Sequence, residues 1–157
     1  MKKISSFSVD HLKLLPGLYV SRKDYLKQDV LTTFDIRLTA PNREPVLDTD
    51  GIHAIEHLGA TFLRNNDEWS NKIIYFGPMG CRTGFYLILN GDFASNEILS
   101  LVRSVFAFII NYEGEIPGSR PGECGNYTDM SLTKAKKYAY CYYNNILMNI
   151  DESRLTY

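Results

Sequence analysis

Apolar and polar side chains alternate along residues 30–39, which is the pattern of a β-strand with one buried face. Asp35 and Arg37 belong to the polar face of this predicted strand. Two shorter strand-like runs, residues 72–76 and about 83–89, lie on either side of a tight glycine-rich turn. The apolar face of the first strand carries Phe34, Ile36 and Leu38.

Three other stretches repeat apolar residues every three or four positions, which predicts amphipathic helices. The first helix begins at the capping candidates in residues 48–50, Ser95 caps the second, and the third covers about residues 131–148. The apolar face of the first helix contains Ile52, Ile55, Gly59, Phe62 and Leu63. That of the second contains Ile98, Leu101, Val102, Val105 and Ile109.

Strands joined by short turns, with helices between them, predict an α+β fold. We expect a single two-layer domain over residues 1–157, in which a mostly antiparallel sheet packs against the helices. No repeat, low-complexity tract or linker divides the chain. The segment of residues 15–22 receives no predicted element.

Composition and charge narrow the classes of function. The net charge of −1 and a pI near 6.3 give no electrostatic basis for binding nucleic acid. The longest apolar run, residues 105–110, is too short to cross a membrane, and no signal peptide is evident, so we expect a cytoplasmic protein. Three widely spaced cysteines fit reduced thiols, free for metal binding or catalysis, better than a disulfide framework.

The stretch HAIEH offers the most specific chemistry in the sequence. His53, Glu56 and His57 share one face of the predicted first helix, because positions i, i+3 and i+4 are neighbours. Two imidazoles spaced in this way can chelate one metal ion, and the glutamate between them lies close enough to act as a base. The alternative is an ordinary polar face in contact with water, and a third ligand is needed to decide.

Cys124 is the best candidate for that third ligand, since it lies in the Pro- and Gly-rich loop of residues 114–125. Two imidazoles, a thiolate and a water would form an open, catalytic metal site. A loop cysteine without a role is the alternative. In an inverted-zincin protease, Glu113 or Glu115 would replace Cys124, and a closed coordination shell would instead indicate a structural or storage site.

Two further cysteines differ in their surroundings. Cys81 lies in the turn GPMGCRTG, where flanking glycines keep the thiol reachable and a nearby cation would favour the thiolate. Its alternative is a small buried residue at the start of a strand. We assign Cys141 to that buried role, and the tyrosines around it to packing. Arg37 is expected to be solvated unless a partner or a pocket covers its strand face.

Taken together, these motifs resemble the S-ribosylhomocysteine lyase (LuxS) family. The matching stretches appear in family order and cover most of the chain: Ser6-Phe7 with Asp10-His11, FDIR followed by Pro41-Asn42, HAIEHL, PMGCRTGFY and Glu123-Cys124-Gly125. The sequence departs from many members at two points. Residues 15–22 form a longer segment, and Met130 stands where many members have histidine.

The resemblance implies a role for each residue of the site. Counterparts of His53, His57 and Cys124 hold the metal, and those of Cys81 and Glu56 act as acid–base groups. Counterparts of Ser6, His11 and Arg37 reach the substrate from the neighbouring subunit, so that Cys81 and Arg37 are expected to serve opposite sites of a homodimer. Arg64 occupies the position of an arginine near the amino-acid end of the substrate.

The resemblance also implies the metal and the reaction. Ferrous iron is the native metal of the family, one per subunit, and zinc or cobalt can replace it. The sugar carbonyl of S-ribosylhomocysteine moves from C1 to C2 and then to C3, after which elimination breaks the C5–S bond. The products are homocysteine and 4,5-dihydroxy-2,3-pentanedione, the precursor of autoinducer-2 in quorum sensing. The same reaction serves the methyl cycle.

Overall fold

In the computed structural model, which describes residues 8–157, a four-stranded antiparallel sheet packs against helices. The strand order is β1-β2-β4-β3. The strands are β1 (Gly17–Leu26), β2 (Asp29–Arg37), β3 (Ile73–Pro78) and β4 (Gly84–Asn90). The helices are α1 (Thr49–Arg64), α2 (Leu99–Asn111) and α3 (Leu132–Asn145), with short 3₁₀ turns at Ser70–Lys72, Ser95–Ile98, Leu147–Asn149 and Glu152–Arg154.

The register of the strands brings one end of β2 beside the turn between β3 and β4. Arg37 pairs with Gly17 of β1 on one side and with Gly84 of β4 on the other. Pro78 pairs with Phe85, so the intervening turn lies at the same end of the sheet as Arg37. This arrangement gathers side chains that are far apart in the sequence.

Apolar side chains from one face of the sheet and from the helices form a continuous core. Each fully buried aliphatic or aromatic side chain contributes about 1.5–3 kcal/mol to folding. Asp35 alternates with Phe34 and Ile36 along β2, and it therefore lies on the face directed away from the helices. The sheet contributes Leu18, Phe34, Ile36, Phe85, Leu87 and Leu89 to the core, and α1 contributes Ile52, Ile55, Leu58 and Leu63.

The α+β class and the antiparallel sheet are confirmed, with element bounds shifted by a few residues. The prediction lacked β1, because the sequence GLYVSRKDYL does not alternate cleanly and the strand is irregular between Val20 and Arg22. The cap assigned to Ser95 was wrong. Ala94 precedes the 3₁₀ turn, and the Ser95 hydroxyl instead donates to the Leu155 carbonyl. Ser131 is the N-cap residue of α3, and its hydroxyl accepts from the Lys134 amide.

The burial predicted for Cys141 was also wrong. The core-facing side of α3 is formed by Ala135, Ala139 and Tyr142, and Cys141 is exposed on another side of the helix. The packing role of the neighbouring tyrosines is confirmed for Tyr142, whereas Tyr140 is exposed. The helical period that buries Tyr142 accounts for both outcomes.

Candidate metal and thiol site

Helix α1 presents two histidines and a glutamate on the side opposite its apolar stripe. Asp48 is the N-cap residue, and Asp50 places an acidic group in the first turn, where the helix dipole favours negative charge. His53, Glu56 and His57 are each partly buried, as expected for one helix face that is only partly covered. Glu56 makes no hydrogen bond to any residue in the range 8–157.

Backbone carbonyls orient both imidazoles. His53 Nδ1 lies 3.0 Å from the Asp129 carbonyl oxygen, and His57 Nδ1 lies 2.7 Å from that of Pro117. A carbonyl can only accept, so each Nδ1 carries the proton and each Nε2 is left with a free lone pair. This is the usual arrangement by which a protein prepares histidine as a metal ligand.

The loop between α2 and α3 brings Cys124 to the two histidines. A turn that begins at Arg120 ends with the Cys124 amide donating to the Arg120 carbonyl at 3.1 Å. The thiol sulfur then lies 3.4 Å from His53 Nε2. The amide of Asn126 donates to the same sulfur at 3.4 Å.

The three side chains fit a metal ion. Their donor atoms all lie within 4.8 Å of one another. Bonds of about 2.0–2.1 Å to nitrogen and about 2.3 Å to sulfur imply an N···S separation of roughly 3.5 Å around a tetrahedral ion. The distance from Cys124 Sγ to His53 Nε2, 3.4 Å, is close to that value. We call His53, His57 and Cys124 the metal-ligand cluster.

Gly118 in the same loop allows the close approach of His57. A Cβ atom at this position would lie 2.9 Å from His57 Nδ1, and its φ of +73° is one that residues with side chains rarely adopt. This role could not be predicted, because a glycine in a Pro- and Gly-rich loop does not reveal which side chain packs against it.

The alternative third ligands of a protease are not part of this cluster. Glu115 is exposed and forms an ion pair with Arg120 at 3.1 Å, and Glu113 is exposed as well. Across residues 8–157, the only group of three or more potential metal ligands is His53, His57 and Cys124. Met130, the residue that departs from many relatives, packs against the core next to Asp129.

A second cluster surrounds Cys81 in the turn between β3 and β4. The turn is closed by the Met79 amide, which donates to the Gly84 carbonyl, and Arg82 adopts a φ of 59°. The thiol is exposed, as the functional hypothesis required. Its sulfur lies 3.1 Å from the Thr83 hydroxyl and 3.8 Å from Arg37 Nη1.

Arg37 is buried, contrary to the expectation that it is solvated. Only 3 % of the residue is exposed, and its guanidinium forms an ion pair with the equally buried Asp35. Nη1 also donates to the Thr83 hydroxyl at 2.5 Å, and this leaves the Thr83 proton free to point at the Cys81 sulfur. The sequence did contain an indication, because opposite charges two residues apart share a strand face.

The surroundings of Cys81 act on its pKa in opposing directions. Partial burial raises the pKa of the thiol, whereas the hydrogen bonds from Thr83 and the positive charge of Arg37 lower it. The lowering effects are larger, so the pKa lies below the ordinary value of a cysteine. We call Cys81, Thr83, Arg37 and Asp35 the thiol cluster. Neither Thr83 nor Asp35 was among the predicted site residues.

The remaining predicted site residues lie outside both clusters. His11 is partly buried, and its Nδ1 contacts the Val9 carbonyl at 2.9 Å. Arg64 donates to the carbonyls of Ile73 and Ile74 at the edge of the sheet. Ser6 falls outside the described residues. No hydrogen bond or ion pair within residues 8–157 joins the metal-ligand cluster to the thiol cluster.

None of the helices within residues 8–157 has the length and apolar character needed to span a membrane. Comparison with known proteins gives a match over residues 4–153 to the model of the family described as S-ribosylhomocysteinase (LuxS). The chain is 62 % identical to the S-ribosylhomocysteine lyase of Finegoldia magna, 55 % to that of Clostridium beijerinckii and 54 % to that of Borreliella burgdorferi. Each alignment covers 100 % of this chain and 99 % of the relative.

Proposed function

The chain belongs to the S-ribosylhomocysteinase (LuxS) family, and from this premise we propose that it is an S-ribosylhomocysteine lyase. Its whole length, residues 1–157, serves as one catalytic domain. The strongest support beyond the family is the metal-ligand cluster, in which two imidazole nitrogens and one thiol sulfur converge. The products are homocysteine and 4,5-dihydroxy-2,3-pentanedione, the precursor of autoinducer-2.

His53, His57 and Cys124 hold one divalent ion, for which ferrous iron is proposed and zinc or cobalt can substitute. When bound, such an ion supplies Lewis-acid polarisation of the sugar oxygens. Backbone carbonyls hold Nδ1 of both histidines, so each ring already presents Nε2 as the nitrogen that can bind the metal. The thiol ligand and the exposed Cys81 both need a reducing environment, which supports a cytoplasmic location.

The acid–base groups are Glu56 and Cys81. The reaction needs protons to be removed from and returned to neighbouring sugar carbons, twice for the carbonyl shifts and once for the elimination at C4. Glu56 shares the metal-ligand face of α1, because positions i, i+3 and i+4 are neighbours, and its proposed role is to act on sugar carbons near the ligand cluster. Cys81 comes from a different element, and its pKa, which lies below the ordinary value of a cysteine, favours the thiolate form that a base requires.

We propose a homodimer in which each active site combines the metal-ligand cluster of one subunit with the thiol cluster of the other. The metal-ligand cluster depends on α1 and the loop between α2 and α3, whereas the thiol cluster depends on β2 and the turn before β4. Within residues 8–157 no hydrogen bond joins the two clusters, which supports their use in different sites. Arg37, His11, Arg64 and Ser6 are proposed to contact the substrate, as their counterparts do in the family.

The experiment compares variants of the three cysteines, because the proposal predicts a different combination of metal content and turnover for each. Protein purified without oxygen is analysed for metal and assayed for thiol release from S-ribosylhomocysteine. Cys124→Ala should lose metal and turnover, Cys81→Ser should lose turnover by about a hundredfold or more while keeping metal, and Cys141→Ser should keep both. A metal-loaded wild-type protein that releases no homocysteine would refute the proposal.

A further inference from the structure

Tyr157 reaches the buried end of the thiol cluster from outside the sheet. It follows the 3₁₀ turn Glu152–Arg154, and its hydroxyl donates to Asp35 Oδ2 at 2.6 Å. That same oxygen accepts from Arg37, whose other terminal nitrogen faces Thr83 and Cys81. A chain of contacts therefore runs from Tyr157 through Asp35 and Arg37 to the thiol.

The hydroxyl of Tyr157 is held firmly in this position. Its ring stacks on Tyr19 with 4.8 Å between ring centroids and an angle of 13° between the planes. Burial and the charge of Asp35 raise the pKa of Tyr157 far above its ordinary value, so the phenol remains a donor at all physiological pH values. Tyr157 is nevertheless nearly half exposed, so the contact is made at the rim of the cluster.

Asp35 depends on this donor. Only 1 % of the residue is exposed, and within residues 8–157 its Oδ1 has no hydrogen-bond partner. Arg37 and Tyr157 are therefore its only two donors in that part of the chain. When a buried carboxylate accepts fewer hydrogen bonds, less of its negative charge is compensated. It therefore attracts the neighbouring guanidinium more strongly.

We propose that Tyr157 is a positioning residue of the thiol cluster, whose hydroxyl acts through Asp35 to fix the Arg37 guanidinium against Cys81. This rests on the proposed function in so far as Cys81 is an acid–base group. Without the hydroxyl, Asp35 draws Arg37 toward itself and presents a less compensated negative charge. Both changes disfavour the Cys81 thiolate.

The test is the pH dependence of the alkylation of Cys81 by iodoacetamide in the metal-loaded protein. Peptide mass spectrometry separates Cys81 from Cys124 and Cys141. Tyr157→Phe keeps the ring that stacks on Tyr19, and it should raise the apparent pKa of Cys81 by about half a unit to one unit. Tyr140→Phe, a change to an exposed tyrosine of α3, should leave that pKa unchanged. The other ionisable groups facing the thiol, Arg37, Asp35 and Tyr86, are present in both variants.

A second variant isolates the route through Asp35. Asp35→Asn removes the competing charge and should lower the pKa of Cys81, and adding Tyr157→Phe to it should then have little further effect. An unchanged Cys81 pKa in Tyr157→Phe, or a full effect of Tyr157→Phe in the Asp35→Asn protein, would overturn the positioning role. Alkylation needs no turnover, so either result leaves the proposed lyase activity to be judged by thiol release alone.

Discussion

The Arg37 guanidinium and the Cys81 thiol lie side by side within one chain, with Nη1 3.8 Å from Sγ. The family resemblance had led us to expect that the two residues serve opposite sites of a dimer. Because they touch in a single subunit, any site that receives Arg37 from a chain also receives Cys81 from that chain. The proposed division of each site is therefore the metal-ligand cluster from one subunit and the whole thiol cluster from the other.

Mixing inactive variants tests this division. Equal amounts of Cys81→Ala and His57→Ala, allowed to exchange subunits, should form heterodimers with one intact site and one site carrying both defects. Half of the dimers are then mixed, so about a quarter of wild-type activity should return. The measurement is thiol release, with subunit exchange shown independently by native mass spectrometry of isotopically labelled protein.

The matched control uses Arg37→Ala in place of His57→Ala. Cys81→Ala mixed with Arg37→Ala should give no recovery, because both changes damage the thiol cluster and each site of the heterodimer inherits one of them. If that mixture recovers activity while the first does not, the two residues serve different sites and the proposed division is wrong.

Gly118→Ala should weaken metal binding without removing any ligand. The added Cβ would lie 2.9 Å from His57 Nδ1, at a backbone φ that already disfavours alanine. Because the Pro117 carbonyl orients the same ring, displacing His57 should lower metal affinity by about 10–100-fold, the usual effect of disturbing groups behind a ligand. Competition with a chelator measures this change.

Gly122→Ala provides the control from the same loop. Among residues 8–157, no atom lies within 4 Å of a Cβ placed at Gly122, so this variant should bind metal as the wild type does. Equal metal affinity of the two variants would mean that the loop shifts to accommodate the added Cβ next to His57, and that Gly118 has no special role.

The metal-ligand cluster could be predicted from the sequence to a large extent, because helical spacing alone places His53, Glu56 and His57 on one face. Cys124 could only be proposed, since nothing in a loop's sequence fixes where it returns. The thiol cluster was harder to predict. Thr83 and Arg37 are 46 positions apart, and only the register of β2 against β4 brings them together.

The position of Tyr157 beside Asp35 could not be predicted from the sequence for a similar reason. Its contact with Asp35 joins residues 122 positions apart and depends on a segment that has no periodic pattern of its own. The sequence-based prediction lacked β1 for the same reason, since that strand is specified by its pairing with β2 more than by its own residues. Local patterns thus predict helices and their faces, while contacts across the sheet have to be observed.

Tyr142→Phe should destabilise the fold by about 1–2 kcal/mol, because it removes a buried hydrogen bond. Its hydroxyl donates to the Gly17 carbonyl at 2.7 Å and ties α3 to the start of β1. Tyr140→Phe, two residues earlier on the exposed side of α3, should change the free energy of unfolding by less than about 0.5 kcal/mol. Urea unfolding followed by circular dichroism measures both, and equal stabilities would show that the Gly17 carbonyl finds another donor.

The pH dependence of turnover should report the thiol of Cys81. Its pKa lies below the ordinary value because hydrogen bonds from Thr83 and the charge of Arg37 outweigh the effect of burial. A base must be deprotonated, so activity should fall on the acidic side as pH drops through this lowered pKa and should remain high above it. Thr83→Val removes the hydroxyl that lies 3.1 Å from the sulfur, and it should raise the pKa by about one unit, roughly the value of one hydrogen bond to a charged group.

The acidic limb of the pH–rate profile should therefore move upward by about one unit in Thr83→Val, and activity at neutral pH should fall while activity at high pH recovers. Thr83→Ser keeps a hydroxyl at the same position and should retain the wild-type profile. Because alkylation of Cys81 reports the same ionisation, its midpoint should shift together with the limb. If the limb stays in place while the alkylation midpoint moves, the group whose ionisation controls turnover is not Cys81.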